Sequence, residues 1–170
     1  RFRPIIRGFS LKLGLDETDA EDVTQETITR VMKHYREGKY DRSRGRLSSW
    51  IIAIARNCIR DWQTAASNRR ERRGESAMIY LSDDEALTGI WDEECRRVIL
   101  ENAMCELRER SHFEEKTIRV FEMIAFEERH AADVAAEMSI SIDSVYAAKN
   151  RCLAQLRDIL SRLTDVYELA

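Results

Sequence analysis

A basic segment with one loop tyrosine carries the strongest chemical signal in this chain of 170 residues. Between residues 28 and 73, thirteen Lys and Arg outnumber four acids, which gives a net charge of +9. This surplus favours a polyanion, because phosphates supply most of the non-specific affinity of proteins for nucleic acid. Tyr40 lies in the loop 38–46, where no helical period requires burial and an unpaired base could stack on the ring. The segment predicts a single-stranded DNA site with contacts from Tyr40, Arg42, Arg44, Arg46, Arg56 and Arg60.

A second, acidic surface precedes this segment. Asp22 and Glu26 recur at helical spacing with Gln25 beside them, so the three side chains fall on one outer face of a helix. One interpretation is a solvated flank whose charge complements the positive end of the helix dipole. The other is a docking surface for a basic helix of a partner protein. Spacing alone leaves both interpretations open.

Two helices must position these surfaces. The first is expected from Asp19 to Arg36, with Thr18 as its N-cap and Glu21 completing a capping box. The second is expected from about Leu47 to Ala65, where one wide apolar stripe favours the core for its two tryptophans, although Trp50 lies near Tyr40 and could also stack on DNA. The stripes are Ala20, Val23, Ile28, Val31, Met32 and Tyr35 in the first helix, and Leu47, Trp50, Ile51, Ile54, Ala55, Cys58 and Trp62 in the second.

The stretch 19–62, DAEDVTQETITRVMKHYREGKYDRSRGRLSSWIIAIARNCIRDW, resembles region 2 of a bacterial extracytoplasmic-function (ECF) sigma factor of the sigma-70 family. In that family, region 2 binds RNA polymerase and opens promoter DNA. The resemblance implies that Asp22, Gln25 and Glu26 bind the clamp helices of the polymerase β′ subunit.

The resemblance also implies a pocket in the loop 38–46 for a base that is flipped out of the −10 element. Tyr40 matches the loop aromatic residue, and Asn57, in an Ala-Arg-Asn run, matches a residue of the pocket wall. Extruding a base costs a few kcal/mol of unstacking, which a shaped pocket can offset. Leu47 stands where an aromatic residue is common, so the base preference stays open.

A pair of helices is predicted in the last third of the chain. A helix from Ala131 to Met138, a turn at Ser139 and Ile140, and a longer helix from Ile142 onward have the spacing of a helix-turn-helix, whose second helix enters a major groove. An ordinary antiparallel helix pair would show the same pattern. The expected inward residues are Val145, Ala148, Cys152, Leu156 and Ile159, and the expected outward residues are Asp143, Tyr146, Ala147, Asn150 and Arg151, with Lys149 on the rim.

The run from Ser144 to Arg151 resembles region 4 of the same sigma family, which reads the −35 element. Ser139 stands where a Gly usually fits a left-handed turn, at a cost of roughly 1 kcal/mol. Ala147 and Ala148 stand where longer polar residues are common, which predicts few direct base contacts. The implied −35 contacts are Ser144, Tyr146, Ala147, Lys149, Asn150 and Arg151.

Helical periodicity fades between residues 68 and 94, which predicts a flexible linker. Its apolar residues, including Ile90 and Trp91, could instead dock on either domain as a short helix. The expected organisation is an all-α fold of two small domains, with region 2 in 1–67, the linker in 68–94 and region 4 in 95–170. From residue 74 to residue 109, ten acids outnumber three Arg, a net charge of −7. This segment is expected to cover the basic patch in the free protein.

Composition and motif spacing disfavour several functional classes. The four cysteines form no CxxC pair, the three histidines are isolated, and no nucleophile or phosphate-loop motif appears, so neither an enzyme nor a metal or other cofactor is expected. No apolar run approaches the roughly 20 residues that span a membrane, and no signal-peptide pattern opens the chain. A cytoplasmic protein without membrane insertion is therefore expected.

Together these features predict a sigma factor that catalyses no reaction itself. The resemblance implies core RNA polymerase as a partner, through the β′ clamp helices and the β flap, along with promoter DNA and, in many members, an anti-sigma factor. The alternative is a stand-alone helix-turn-helix regulator that binds an operator as a dimer. The acidic residues Asp22, Gln25 and Glu26 favour the sigma factor, since an operator-binding protein needs no polymerase-docking face.

Overall fold

The chain is built from helices throughout the part that the structure describes. The structure is a computed structural model that describes residues 1–70 and 84–168. These residues contain no strand, and the predicted all-α fold is confirmed. The elements are α1 (Arg3–Lys12), α2 (Glu17–Arg36), a 3-10 turn (Arg42–Arg44), α3 (Leu47–Arg70), α4 (Asp84–Arg110), α5 (Glu115–Ala125), α6 (Ala131–Met138) and α7 (Ile142–Glu168).

The helices form two compact units, Arg1–Val98 and Ile99–Leu169. Helix α4 contributes its first half to the first unit and its second half to the second unit. Residues 84–94, expected in a linker, are therefore helical and belong to the first unit. Residues 68–70 of the expected linker belong to α3, and residues 71–83 lie outside the described residues. No helix in 1–70 or 84–168 combines the length and apolar content that a membrane span requires.

Helix α2 begins earlier than its sequence pattern predicts. Its N-cap is Asp16, whose carboxylate accepts a hydrogen bond from the Asp19 backbone amide at 2.8 Å, so Thr18 lies inside the first turn. The expectation that Thr18 caps this helix is wrong. Aspartate is at least as good an N-cap as threonine, and the turn at Gly14 (φ 87°) ends α1 close enough for Asp16 to take the position.

The buried stripe of α2 is also shorter than predicted. Ala20, Val23, Thr24 and Thr27 are buried, and the Thr24 hydroxyl donates to the Ala20 carbonyl oxygen at 2.6 Å. Towards the end of the helix, Met32 is 50% exposed and Tyr35 is 61% exposed. Both residues continue the helical spacing of the stripe, but in the C-terminal half of α2 these two positions do not face the core. The buried part of the apolar stripe therefore ends before these two residues.

The stripe of α3 largely follows the sequence pattern. Ile51, Ile54, Ala55 and Cys58 are buried as predicted, and Ile52 and Ile59 are buried as well. Trp50 and Trp62, at the edges of the stripe, are only partly buried. Helix α3 continues to Arg70, beyond the predicted end at Ala65. Helices α1, α2 and α3 thus form the core of the first unit, with α2 packed against both neighbours.

The first half of α4 completes this unit by packing against α1. The Trp91 ring lies 5.6 Å from the Phe9 ring and 6.5 Å from the Phe2 ring, and Leu87 is buried one turn earlier. Glu94 is buried but paired, because the Arg97 guanidinium donates to it at 2.8 Å and Lys12 lies 3.7 Å away. A β-carbon at position 8 would collide with this carboxylate, so glycine permits the close approach of the two helices.

The second unit has its core between the second half of α4 and helices α5, α6 and α7. One cluster joins Leu107, Phe121 and Leu156, and another joins Met123, Val134 and Val145. Helix α6 has the predicted bounds, α7 begins at the predicted residue, and residues 139–141 separate the two helices. Ser139 adopts the left-handed conformation (φ 52°, ψ 53°) that the turn was expected to require.

The burial of Leu87 predicts that the first half of α4 stabilises the first unit. We expect Leu87→Ala to lower the free energy of unfolding of this unit by about 2 to 5 kcal/mol, because it leaves a cavity in a packed interface. All three tryptophans (50, 62 and 91) lie in the first unit, so tryptophan fluorescence during urea unfolding reports on that unit alone.

The same substitution at an exposed position of the same helix provides the control. Leu100→Ala should change the fluorescence transition by less than about 0.5 kcal/mol. Equal transitions for both variants would mean that residues 84–98 contribute nothing to the stability of the first unit.

Candidate functional site

The basic loop between α2 and α3 is held by its own backbone and by one carboxylate. The Asp41 carboxylate accepts hydrogen bonds from the Ser43 amide at 2.9 Å and from the Ser43 hydroxyl at 2.7 Å, and these bonds lower the pKa of Asp41. Gly38 (φ 69°) and Gly45 (φ 155°) provide conformations at each end of the loop that other residues rarely adopt. Arg42, Arg44 and Arg46 are all exposed on this short, ordered turn.

Tyr40 is part of an aromatic cluster and is only partly exposed. Its ring centroid lies 5.2 Å from that of Trp50 and 6.2 Å from that of Tyr35, and its hydroxyl donates to the Gly45 carbonyl oxygen at 3.4 Å. The sequence pattern favoured the core for Trp50, although it also placed this residue near Tyr40, and it missed Tyr35 as a member of this cluster. A signal was available, since the three aromatic residues flank the loop at the end of one helix and the start of the next.

The polar face of α3 extends the site along the helix. Asn57 is exposed and lies two turns after Trp50 on the same side, about 10 Å along the helix axis. Arg60 is exposed one turn further on. The aromatic cluster, an amide and a guanidinium therefore share one side of α3.

Arg56 differs from the other basic candidates because an acid of its own chain holds it. Its guanidinium forms an ion pair with the carboxylate of Asp84, the first residue of α4. The side chain is mostly covered, and its Nε is buried with no hydrogen-bond partner among the described residues. The structure thus places the acidic segment against one predicted DNA contact.

The three acidic-face residues on α2 lie at the surface. Asp22, Gln25 and Glu26 are all exposed. Glu26 also accepts a hydrogen bond from Arg30 at 2.6 Å, and Arg30 donates to Asp61 of α3 at 2.7 Å. These two bonds, that to Asp61 above all, raise the pKa of Arg30. Glu26 therefore helps to join α2 to α3 as well as contributing to the acidic surface.

An open groove continues from this surface along the C-terminal half of α2. It has a volume of about 430 Å³. Its apolar component is the exposed Met32, and its charged components are mainly basic. Its lining residues are Thr29, Met32, Lys33, Arg36 and Glu37. The acidic patch is suited to a basic partner helix, and the exposed Met32 offers that helix an apolar contact, whereas Lys33 and Arg36 of the groove do not complement a basic partner.

The start of α7 presents the side chains that the sequence assigned to the outer face. Val145 and Ala148 are buried, while Tyr146, Ala147, Asn150 and Arg151 are exposed and Lys149 is partly buried. Ser144 is also exposed, but its hydroxyl lies 2.8 Å from that of Ser141, and its amide donates to Ser141 at 3.1 Å. Ser144 therefore takes part in capping α7 and has less freedom to contact DNA.

Three of the four cysteines have covered thiols without features of a reactive site, whereas Cys105 is exposed. Cys58 and Cys152 are buried, and burial raises the pKa of both. Burial also raises the pKa of Cys95, to about 11. These three thiols are protonated at neutral pH and are poor nucleophiles. Residues 1–70 and 84–168 hold no group of three or more His, Cys, Asp and Glu side chains suited to a metal ion.

Comparison with known protein families agrees with this geometry. Residues 1–70, which include α1, α2, the basic loop and α3, match the family described as Sigma-70 region 2. No curated protein matches the chain. The polymerase-facing and DNA-facing candidates of the first unit all lie within the matched residues. Residues 1–70 are therefore similar to sigma-70 region 2, and this similarity covers less than half of the 170 residues.

Proposed function

We propose that the protein is a sigma factor of the ECF type that binds core RNA polymerase in the cytoplasm and directs initiation at promoters with −10 and −35 elements. The observation that carries the proposal is the match of residues 1–70 to sigma-70 region 2. In those residues, an exposed acidic face and a basic loop with an aromatic cluster occur on one pair of packed helices.

The polymerase contact is assigned to the outer face of α2. Asp22, Gln25 and Glu26 meet the clamp helices of the β′ subunit, and the groove around Met32 extends the contact. Complementary charges speed association and fix the register of the two surfaces. The basic loop follows the C-terminal end of α2, whereas the acidic residues lie in the first half of the helix. Polymerase docked on the acidic face therefore leaves the loop available to DNA.

Promoter opening is assigned to the loop and to α3. The exposed arginines attract the phosphates, and a base that leaves the duplex stacks on the aromatic cluster of Tyr35, Tyr40 and Trp50. Asn57 supplies amide donors and acceptors to the extruded base. Stacking compensates for part of the unpairing energy, so the single-stranded state is stabilised only after the base has left the helix.

The second unit is assigned to region 4, which binds the −35 element and the β flap. Helices α6 and α7, the left-handed residue between them and the exposed face of α7 support this assignment. A stand-alone operator-binding function is less well supported, because residues 99–169 carry nine Lys and Arg against fourteen acids. A unit with this charge has little phosphate affinity by itself and depends on polymerase to hold it near DNA.

Charge reversal on α2 tests the polymerase contact. We expect Asp22→Arg to weaken binding to core RNA polymerase about tenfold or more, because it places like charges against the clamp helices. The measurement is competition with the unmodified protein for core enzyme. Glu26 is left intact, since its loss would disturb the link through Arg30 to Asp61.

Asp92→Arg makes the same charge change on an exposed position of α4 and serves as the matched control. It should compete as well as the unmodified protein. Normal competition by the Asp22→Arg variant would show that this face does not bind polymerase.

Substitutions in the loop test promoter opening. Tyr40→Ala and Asn57→Ala should reduce the permanganate reactivity of thymines in the −10 region, while binding to closed duplex changes little. Stacking is worth about 1 to 3 kcal/mol per base, so a reduction of roughly tenfold is expected for Tyr40→Ala. Tyr40→Phe keeps the ring and should retain most of the reactivity. Unchanged thymine reactivity in both alanine variants would show that Tyr40 and Asn57 do not form a pocket for an extruded base.

The ion pair between Arg56 and Asp84 predicts a modest restraint on DNA binding in the free protein. Asp84→Asn should raise the affinity of the full chain for single-stranded −10 DNA by up to about fivefold at low salt, because Asp84 is 82% exposed and surface pairs are weak. Asp92→Asn removes one charge elsewhere on α4 and should have a smaller effect. If both variants gain equally, the restraint depends on net charge and not on this contact.

A further inference from the structure

Two large side chains at the start of α7 are exposed and do not belong to the core of the second unit. Ile142 is 47% exposed and Tyr146 is 49% exposed. They lie four residues apart, one helical turn, so they form a continuous patch. Val145, between them in sequence, is fully buried in the core of the second unit. The patch is therefore a distinct outer surface and not a loosely packed edge of that core.

The neighbourhood of this patch permits a close approach to a flat partner. Ala147 is exposed beside Tyr146 and offers only a methyl group, and Asn150 follows one turn after Tyr146. Lys149 and Arg151 lie on the flanks and form no ion pair within residues 84–168. The surface thus has an apolar centre, one amide and two cations at its border.

Most other arginines of the second unit are bound to its own glutamates. Arg108 bonds to Glu122 at 2.7 Å, and Arg119, Arg129 and Arg162 are paired in the same manner. With its acidic net charge, the unit has few cations to offer to phosphates. Phosphate contacts carry no direct sequence information in any case, so a direct reading of the DNA sequence by this unit requires contacts with base edges.

We propose that Ile142 and Tyr146 read the 5-methyl groups of thymines in the major groove of the −35 element. The inference rests on the proposed function, because it requires α7 to lie in that groove. The thymine methyl is the apolar group that the base pairs present there, and exposed apolar side chains recognise it by contact. Burial of one methyl corresponds to about fourfold in affinity, which is enough to select a base without a hydrogen bond.

The −35 sequence must be found before the methyl groups can be tested. The full chain, assembled with core RNA polymerase, is used to select −35 elements from a library of promoter duplexes with a randomised −35 segment. We expect the selected element to contain at least one strongly preferred thymine. Failure to select any −35 sequence would overturn both the region 4 assignment and this inference. A selected element without thymine on either strand would overturn the inference alone.

Replacement of each thymine by deoxyuridine then removes only the methyl group. At one or two positions, this change should lower the affinity of the polymerase complex about fourfold. Ile142→Ala should abolish the preference for thymine over deoxyuridine at one of these positions, and Tyr146→Ala at the neighbouring one. The variant and the unmodified protein are compared on the same thymine and deoxyuridine duplexes. If only the variant loses the preference, the substituted side chain contacts the methyl group.

Val166→Ala provides the matched control, because Val166 is an exposed apolar residue near the other end of α7. It should retain the full preference for thymine. Equal affinity of the unmodified complex for thymine and deoxyuridine at every position would overturn the proposal. So would an Ile142→Ala variant that keeps the preference but binds core polymerase less tightly, since the patch would then contact the enzyme.

Discussion

The contact between α2 and α3 is the constraint on which the first unit depends. Small buried residues of both helices lie in this interface, where Thr27 is next to Cys58 and Ala55 is fully buried. At its edge, Arg30 joins Glu26 of its own helix to Asp61 of α3. The outer side of α2 carries the polymerase candidates, and the loop at its end carries the DNA candidates. One packing interface therefore sets the spacing between the two functions that we propose.

This arrangement explains why an acidic face and a basic loop can be neighbours without neutralising each other. The ion pairs of Arg3 and Arg7 with Glu17 and Glu21 connect α2 to α1, on the side away from the loop. The loop arginines at 42, 44 and 46 remain exposed on the ordered turn. Interactions between exposed charges decay over about 8 Å at physiological salt, so each surface keeps its own sign.

Helix α4 contributes residues to both units of the chain. Its first half is fixed to α1 by Trp91 and Glu94, so the first unit ends near Val98 and not at the end of α3. This places Asp84 at Arg56 and brings an acid to a predicted DNA contact. The basic and acidic segments of the sequence thus contact each other through the ion pair of Arg56 and Asp84. In the function that we propose, the second unit, with its arginines paired internally, depends on polymerase for a high effective concentration near DNA.

The sequence by itself determined the features that depend on local periodicity. The all-α class, the bounds of α6, the start of α7 and the exposure of Asp22, Gln25 and Glu26 all follow from helical spacing and turn residues. Tertiary structure alone decided which periodic apolar positions find a partner. Met32 and Tyr35 continue the stripe of α2 but remain exposed.

The need for a partner element also explains why the sequence pattern misplaced or missed some residues. Trp91 is buried because Phe2 and Phe9 meet it from more than eighty residues away, and no local pattern encodes such a contact. The cluster of Tyr35, Tyr40 and Trp50 forms because the loop folds back between two packed helices. Local spacing specifies which way a side chain points on its helix, whereas burial also requires that another element arrive on that side.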